Sequence, residues 1–220
     1  MAKIILNKPV LICLYGFPGS GKSFVARNLT EHISLAHVSA DRVRSELFAN
    51  PRYDNQENAI VSHLMNYMSE EFLSAGLSVA YDANTLRVSQ RRGLRELAAK
   101  HRAAHLLIWL QIDVESAYIR TQRRDRRTYD DKYAEPQTHE SFNRQLSTMQ
   151  NPKDEQYLVI SGKHAFVTQK SAIVNRLYQM GLIPSDTVQS NITKPELVNL
   201  IPRRPIVPLD VARRNISITQ

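Results

Sequence analysis

Hydrophobic and polar residues follow two different patterns along this chain. Five short apolar runs are typical of buried strands, and between them lie longer stretches whose apolar positions recur every three or four residues, as in amphipathic helices. In the longest of these, Ile60, Leu64 and Met68 share one helical face and Gly76 is placed to end the helix. We predict strands at 10–15, 35–39, 77–81, 105–112 and 157–160, and helices at 24–32, 42–48, 56–75, 88–100, from 114 onward, 138–149 and 165–180.

The strands and helices alternate from the first strand to the last helix. This order is typical of an α/β fold with a mostly parallel sheet and helices on both faces. Asp113, directly after the fourth strand, is a suitable N-cap for the helix that follows it. In such sheets ligands bind beyond the carboxyl ends of the strands, so the residues just after each strand are the first place to look for chemistry.

The loop after the first strand fits the pattern G-x-x-x-x-G-K-[ST] of phosphate-binding loops. Its residues are Gly16, Phe17, Pro18, Gly19, Ser20, Gly21, Lys22 and Ser23. Such a loop surrounds a polyphosphate with backbone N–H groups at a helix N-terminus. Lys22 is expected to reach the terminal phosphates and Ser23 to hold Mg²⁺. A chance match is the alternative, but the strand before the loop and the helix after it supply the context that the motif requires. The pattern therefore predicts a P-loop NTPase fold with a five-stranded sheet, and ATP and Mg²⁺ as ligands.

Composition limits the remaining possibilities. The chain has 220 residues, is 42% hydrophobic and carries a net charge of +8. The positive charge favours an anionic partner without identifying nucleic acid. No apolar run is long enough to span a bilayer, no signal peptide is evident, and Cys13 is the only cysteine. We therefore expect a cytoplasmic protein that does not insert into a membrane. The seven histidines show no zinc-binding spacing.

Carboxylates follow two further strands. Asp41 follows the second strand and is a candidate general base. The alternative is that it merely caps the short helix that comes next, a role that is compatible with catalysis. Arg44 lies one helical turn later and could grip an acceptor. Asp82 ends the third strand, where it could hold the acceptor or the Mg²⁺ water shell, or serve as a turn residue. Asn84 could bind substrate or its own turn.

Arginines crowd the helix after the fourth strand. Arg120 and Arg124 are one turn apart on the predicted helix, and Arg123 and Arg127 form an equally good pair. Such residues can neutralise the phosphoryl group during transfer, or they can form a solvated or nucleic-acid-facing surface. Arg91 could contact the substrate, or it could lie on a solvated helix face. For adenine the only candidate is the loop around Asn151.

These residues together resemble the small P-loop kinases of the polynucleotide-kinase-like and zeta-toxin-like kind, over roughly residues 9–160. The resemblance rests on the loop 16–23, on Asp41 with Arg44, on the segment 81–85 and on Arg120 with Arg124. It implies that the aspartate and arginine at 41 and 44 serve the acceptor. It also implies that the arginines at 120 and 124 belong to a lid closing over ATP, with Arg124 acting in catalysis beside Lys22 and Asp41.

The chain divides into a predicted kinase-like domain, 1–183, with a lid at about 114–137, and an extended basic, proline-containing tail, 184–220. The expected function is ATP-dependent transfer of the γ-phosphoryl group to a hydroxyl of a nucleic-acid 5′ end, a nucleotide or another small molecule. The alternative is an ATP-binding or ATPase switch without such an acceptor. No run of four apolar residues followed by Asp-Glu, the usual ATPase signature, is present.

Overall fold

The fold is described from a computed structural model, which covers residues 3–124, 132–133 and 137–184. Five strands are present among these residues: β1 (Val10–Tyr15), β2 (Leu35–Ser39), β3 (Ser78–Asp82), β4 (Ala104–Gln111) and β5 (Tyr157–Ser161). Seven α-helices connect and follow them: α1 (Lys22–His32), α2 (Ala40–Leu47), α3 (Asn55–Ser74), α4 (Val88–Lys100), α5 (Val114–Gln122), α6 (His139–Thr148) and α7 (Phe166–Gln179). The predicted alternation of strands and helices is confirmed.

All strand pairs are parallel, and the sheet order is β2-β3-β1-β4-β5. β1 therefore lies in the centre, and all six of its residues are buried. This explains its unbroken apolar sequence, because a central parallel strand is covered on both faces. Its alternate residues pack into two hydrophobic cores, one on each face of the sheet. Ile12 packs on the face covered by α1 and α7, and Leu11 on the face covered by α3 and α4.

The ends of the helices follow local chemistry. Asp113 caps α5, its Oδ1 accepting a hydrogen bond from the backbone N–H of Ser116 at 2.8 Å, as predicted. Gly76 and Gly181 have the positive φ that glycine adopts readily after a helix, as expected for the ends of α3 and α7. Cys13 is fully buried, and burial raises the pKa of its thiol to about 12, which suits a small core residue.

Two predictions fall wholly or partly outside the described residues. The tail from 185 onward lies outside them, as do 125–131 and 134–136 within the predicted lid. The domain boundary and the lid therefore stay predictions. In the part of the chain that is described, none of the helices has the length and apolar content to cross a bilayer.

Candidate active site

The glycine loop between β1 and α1 is built around close backbone approaches. Gly19 and Gly21 have φ of 78° and 97°, a region that side chains other than glycine rarely adopt. A Cβ at Gly19 would lie 2.2 Å from the Ala117 carbonyl oxygen, and one at Gly16 would lie 2.6 Å from the Leu110 carbonyl oxygen. Gly16 and Gly19 are therefore required by space as well as by backbone conformation, whereas Gly21 is required by backbone conformation alone.

Lys22 is the first residue of α1, and its side chain bonds back to the backbone of the glycine loop. Its Nζ donates to the carbonyl oxygens of Gly16 at 3.0 Å and Phe17 at 2.8 Å. Burial lowers the pKa of Lys22 to about 8, partly offset by the negative charge of Asp82. Beside it, the buried Ser20 Oγ has no hydrogen-bond partner among the described residues. A bound polyphosphate would give both groups stronger partners, so the loop fits the ligand that its sequence predicts.

A second loop, after β5, supports the first. A Cβ at Gly162 would lie 2.6 Å from the Ser20 carbonyl oxygen, so these two loops touch backbone to backbone. Arg120 of α5 donates from Nη1 to the Gly162 carbonyl oxygen at 2.9 Å. This places Arg120 beside the phosphate loop, while its contact with ATP stays a prediction, and it adds Gly162, which sequence reasoning did not single out. A lone glycine directly after the fifth strand was the available signal.

Asp41 and Asp82 lie on the other side of the loop, at the ends of β2 and β3. The helix α2 begins at Ala40 with Ser39 as its N-cap, so Asp41 lies inside the first turn and does not cap the helix. Asp41 is partly buried, and burial raises the pKa of its carboxyl. Asp82 raises that pKa further, whereas Arg124 and Lys22 lower it. The result is a carboxylate more basic than usual, suited to accepting a proton.

Asp82 ends β3 and is nearly fully buried. Its Oδ2 lies 3.0 Å from Nε2 of His37, which lies on the neighbouring strand β2. His37 therefore orients Asp82, a role that the sequence did not reveal because the two residues are 45 positions apart. Asn84, two residues later, donates from its side chain to Gln145 Oε1 at 2.9 Å and so connects this edge of the sheet to α6.

Arg44 is buried and already paired. Its Nη1 donates to Glu57 Oε2 at 3.0 Å and its Nη2 to Asn58 Oδ1 at 2.6 Å, both on α3. The guanidinium also lies 4.6 Å from the centroid of the Tyr53 ring. Burial alone would raise the pKa of Glu57, but the backbone N–H groups of Arg52 and Tyr53 and the Arg44 guanidinium lower it. Arg44 thus lies in the cleft wall with its charge largely neutralised.

The arginines after β4 are arranged differently from the prediction. α5 ends at Gln122, so Arg124 lies beyond the helix, and the expectation that it shares a helix face with Arg120 is wrong. Both nevertheless line the same cleft, together with Arg123. Arg124 is near enough to Lys22 and Asp41 to affect the pKa of each. Arg127 lies outside the described residues.

One cleft joins these groups. Its volume is about 1060 Å³, and the lining includes most of the residues predicted for the site. They are Pro18, Gly19, Gly21, Lys22, Ser23, Asp41, Arg44, Asp82, Asn84, Arg120 and Arg124. Gly16, Phe17 and Ser20 are not in the lining. Gly16 and Ser20 are buried, and Phe17 packs toward Ala117 and Phe142.

Arg91 has neither of its predicted roles. It is fully buried, and its guanidinium donates to the carbonyl oxygens of Thr85 and Gln150 at 3.0 and 2.8 Å and to Glu155 Oε2 at 2.8 Å. It also lies 4.7 Å from the centroid of the Tyr15 ring, one residue before the glycine loop. Arg91 is therefore a buried structural residue that links several chain segments behind the cleft.

A glycine loop between a central parallel strand and a helix, in a sheet of order 2-3-1-4-5, defines a P-loop NTPase fold. The model of one family, AAA_33, described as an AAA domain, matches residues 11–152 of the chain. Since this is more than half of its length, the chain belongs to that AAA domain family. No curated protein matches the chain in sequence.

Solved structures of similar fold include two kinases. The Mycobacterium tuberculosis APS kinase, in complex with AMPPNP and APS, has a TM-score of 0.56 and 18% identity and covers 78% of this chain and 98% of its own. A gluconokinase from Sinorhizobium meliloti has a TM-score of 0.56 and 18% identity, covering 78% and 93%. Chaetomium thermophilum Kti12, in complex with ADP-AlF3, has a TM-score of 0.56 and 16% identity, covering 84% and 100%. At these identities the likeness establishes the fold.

Proposed function

We propose that this protein is an ATP-dependent phosphotransferase that moves the γ-phosphoryl group of ATP to a hydroxyl group of a second substrate. The observation that carries the proposal is the position of Asp41, a partly buried carboxylate of raised pKa that lines the same cleft as Lys22 of the phosphate loop. A switch that only binds ATP has no need of such a base, and one that hydrolyses ATP would use it on water, so the identity of the acceptor decides between the two activities.

The donor half of the site consists of the loop 16–23 and the residues that face it. The backbone N–H groups of the loop and the ammonium of Lys22 would bind the β- and γ-phosphates. Ser23, which lines the cleft, and Asp82 would hold Mg²⁺, directly or through its water shell. The ion supplies charge neutralisation between the phosphates when bound.

In the proposed step the acceptor oxygen forms a bond to the γ-phosphorus while the bond from that phosphorus to the β,γ-bridging oxygen breaks. The acceptor hydroxyl proton goes to the Asp41 carboxylate, and ADP keeps the electron pair of the broken bond. Arg124, near both Lys22 and Asp41, would stabilise the charge on the phosphoryl group during transfer, and Arg120 would hold the donor. Arg44 and Asn84 would shape the acceptor end.

The comparisons support this proposal through fold. Two of the solved structures with this architecture are kinases by their names, an APS kinase in complex with AMPPNP and APS and a gluconokinase. The resemblance to polynucleotide-kinase-like proteins adds a nucleic-acid 5′ end or a nucleotide to the acceptors to be tested. The alternative of an ATPase switch differs in its product, since water would then be the acceptor and inorganic phosphate would be released.

The test is replacement of the base. We predict that Asp41→Asn lowers the rate of acceptor phosphorylation by at least about 100-fold, because a general base contributes this much or more to the rate. ATP binding should be largely kept, since Asp41 lies on the acceptor side of the cleft. The assay is a screen of saccharides, nucleosides and 5′-hydroxyl oligonucleotides with ATP, read by product mass, with ATP affinity measured separately by calorimetry.

Asp154→Asn is the matched control, because Asp154 is exposed and lies outside the cleft lining. Lys22→Ala should weaken ATP binding and turnover together. Acceptor phosphorylation that persists in Asp41→Asn would remove Asp41 from the base role. Release of inorganic phosphate with every acceptor in the screen would favour the ATPase alternative.

A further inference from the structure

We propose that the acceptor end of the cleft continues into a groove between α3 and α4, and that this groove binds an uncharged, hydroxyl-rich molecule of the saccharide class. The statement that this molecule is then phosphorylated rests on the proposed function. The statement that the groove binds it rests on the shape, the side chains and the charges of the groove alone.

The groove is continuous with the cleft. A second cavity of about 500 Å³ lies between α3 and α4. Four residues line both cavities: Ser62, Ala83, Asn84 and Gln90. Asn84 follows Asp82 by two residues, so the junction of the two cavities lies at the carboxyl end of β3. A molecule whose reacting hydroxyl lies at Asp41 can therefore extend into the groove.

The walls of the groove carry amides and hydroxyls. On the α3 side are Ser62 and Asn66, and on the α4 side Ser89 and Gln90. The Tyr81 hydroxyl at the floor donates to Asn66 Oδ1 at 3.0 Å. Amide and hydroxyl groups both donate and accept hydrogen bonds, as alcohol groups do, so they complement a molecule with several hydroxyls. The half-buried side chain of Leu97 offers apolar surface for the C–H face of a sugar ring.

Charge is distributed unevenly along the combined cavity. The end formed by the glycine loop and the residues after β4 is lined by cations, among them Lys22, Arg120, Arg123 and Arg124. This end suits the triphosphate. The positive charge of the chain thus contributes to the donor end and gives no support to a polyanion in the groove.

The opposite end carries both carboxylates and cations. Among the cations, Arg87 at the start of α4 and Arg144, which is paired with Glu140, line the cleft there. Asp41 and Asp82 line the cleft there, and Glu96 lines the groove. Arg44 is paired with Glu57 at 3.0 Å. Lys100, the cation in the groove lining, is paired with Glu70. A phosphate group in the groove would meet Glu96 and a lysine already engaged, so a phosphorylated or nucleic-acid acceptor is disfavoured relative to a neutral one.

The test compares neutral and phosphorylated forms of the same compound. Glucose, maltose, their 6-phosphates and a 5′-hydroxyl thymidine pentamer are titrated into the AMPPNP-loaded protein, and dissociation constants are measured by calorimetry. We expect the neutral member of each pair to bind at least about tenfold more tightly than its phosphate. Maltose should bind more tightly than glucose because its second ring occupies the groove.

A positive charge placed in the groove should reduce this preference for the neutral ligand. Ser62 is exposed on α3 and lines both cavities, whereas His63, also exposed, lines neither. Ser62→Arg should reduce the ratio of neutral to phosphorylated binding by about tenfold, and His63→Arg should leave it unchanged. Ser62→Gln, long but uncharged, separates charge from size, since it can weaken both ligands but should not change their ratio.

The outcomes separate this proposal from the function on which it builds. Tighter binding of a phosphate or of the pentamer, no binding of any neutral probe, or an equal effect of His63→Arg and Ser62→Arg would overturn it. Binding of maltose without its phosphorylation by ATP would leave the groove assignment intact and count against the phosphotransferase instead.

Discussion

Lys22 shows how a single residue is adjusted by the loop that holds it. Its ammonium donates to two backbone carbonyl oxygens and lies almost completely out of water. Burial disfavours the charged form, which is why the pKa falls to about 8. Phosphate oxygens would favour the charged form again, so proton uptake and nucleotide binding are coupled at this side chain.

A pH dependence of nucleotide affinity follows from this coupling. Below pH 8 Lys22 is charged before ADP arrives, and the affinity should be constant. Above pH 8 binding must recover a proton, so the dissociation constant of ADP should rise, by about tenfold at pH 9 relative to pH 7. Calorimetric titrations between pH 6.5 and 9.5 measure this.

The control for the pH profile is Lys22→Ala, which should bind ADP weakly and with little change over the same range. Buffers of different ionisation enthalpy should also reveal proton uptake by the wild type above pH 8. An affinity that is constant up to pH 9.5 in the wild-type protein would contradict the assignment.

Residues of the site differ in how far sequence could predict them. The residues of the glycine loop belong to a contiguous motif, and Asp41 and Asp82 follow apolar runs, so local signals sufficed. Glu57 and His37 act through partners 13 and 45 positions away, Arg44 and Asp82, and nothing local marks that pairing. The neutralisation of Arg44 was therefore invisible before the chain was folded.

At the scale of elements, Arg91 joins three segments that the chain order keeps apart. It extends from α4 to the carbonyl oxygens of the segment after β3, to Gln150 and Glu155 before β5, and to the ring of Tyr15 at the end of β1. The same carboxylate of Glu155 also pairs with Arg95. The end of β1, which leads into the glycine loop, is thus stabilised by Arg91, a buried cation whose donors are all hydrogen-bonded.

We predict that Arg91→Ala lowers the free energy of unfolding by about 3–5 kcal/mol, because it leaves several buried carbonyl oxygens without this donor and the nearly buried Glu155 carboxylate with Arg95 alone. Urea unfolding followed by circular dichroism measures the change. The neighbouring Arg92→Ala is the control, since Arg92 is exposed, and it should change stability by less than about 0.5 kcal/mol. Similar midpoints for the two variants would refute the structural role.

The bounds of helices and strands were predictable where an apolar run ends at polar residues or where a glycine or proline ends the element. β1, β2 and α4 have the predicted limits, since apolar runs and polar flanks define them. The end of α5 at Gln122 was missed because the arginines that follow are good helix formers and no glycine or proline marks the stop. Arg91 was misjudged for a related reason, as an arginine on an amphipathic helix is usually exposed.

At the scale of the whole molecule, the sheet order decides what the cleft can do. β1 lies between β3 and β4, so chain segments after β2 and β3 form one end of the cleft and those after β4 and β5 the other. The sequence predicted the strands and their parallel direction, but not their lateral order, because this depends on which helix packs on which face. The separation of cationic and carboxylate ends follows from that order.

Nucleotide binding should stabilise the whole fold, because the loop exists only in the folded chain. At ADP concentrations near 100 times the dissociation constant, the gain is about 2.7 kcal/mol. For a chain of this size that corresponds to a rise in melting temperature of about 5–10 °C. Differential scanning fluorimetry with and without MgADP tests this, and Lys22→Ala should show a much smaller rise. An equal rise in both proteins would place the nucleotide elsewhere.

The central position of β1 has one more consequence, which concerns light rather than chemistry. Trp109 is the only tryptophan in the chain and pairs in register with Tyr15, the last residue before the glycine loop. Its ring lies edge-on to Tyr15 at 5.5 Å and to Tyr157 at 5.6 Å. The tryptophan fluorescence of the protein therefore originates from one site, adjoining the strand that carries the loop, and excitation of two neighbouring tyrosines can transfer to it. The molecule carries its own optical reporter of the state of that strand.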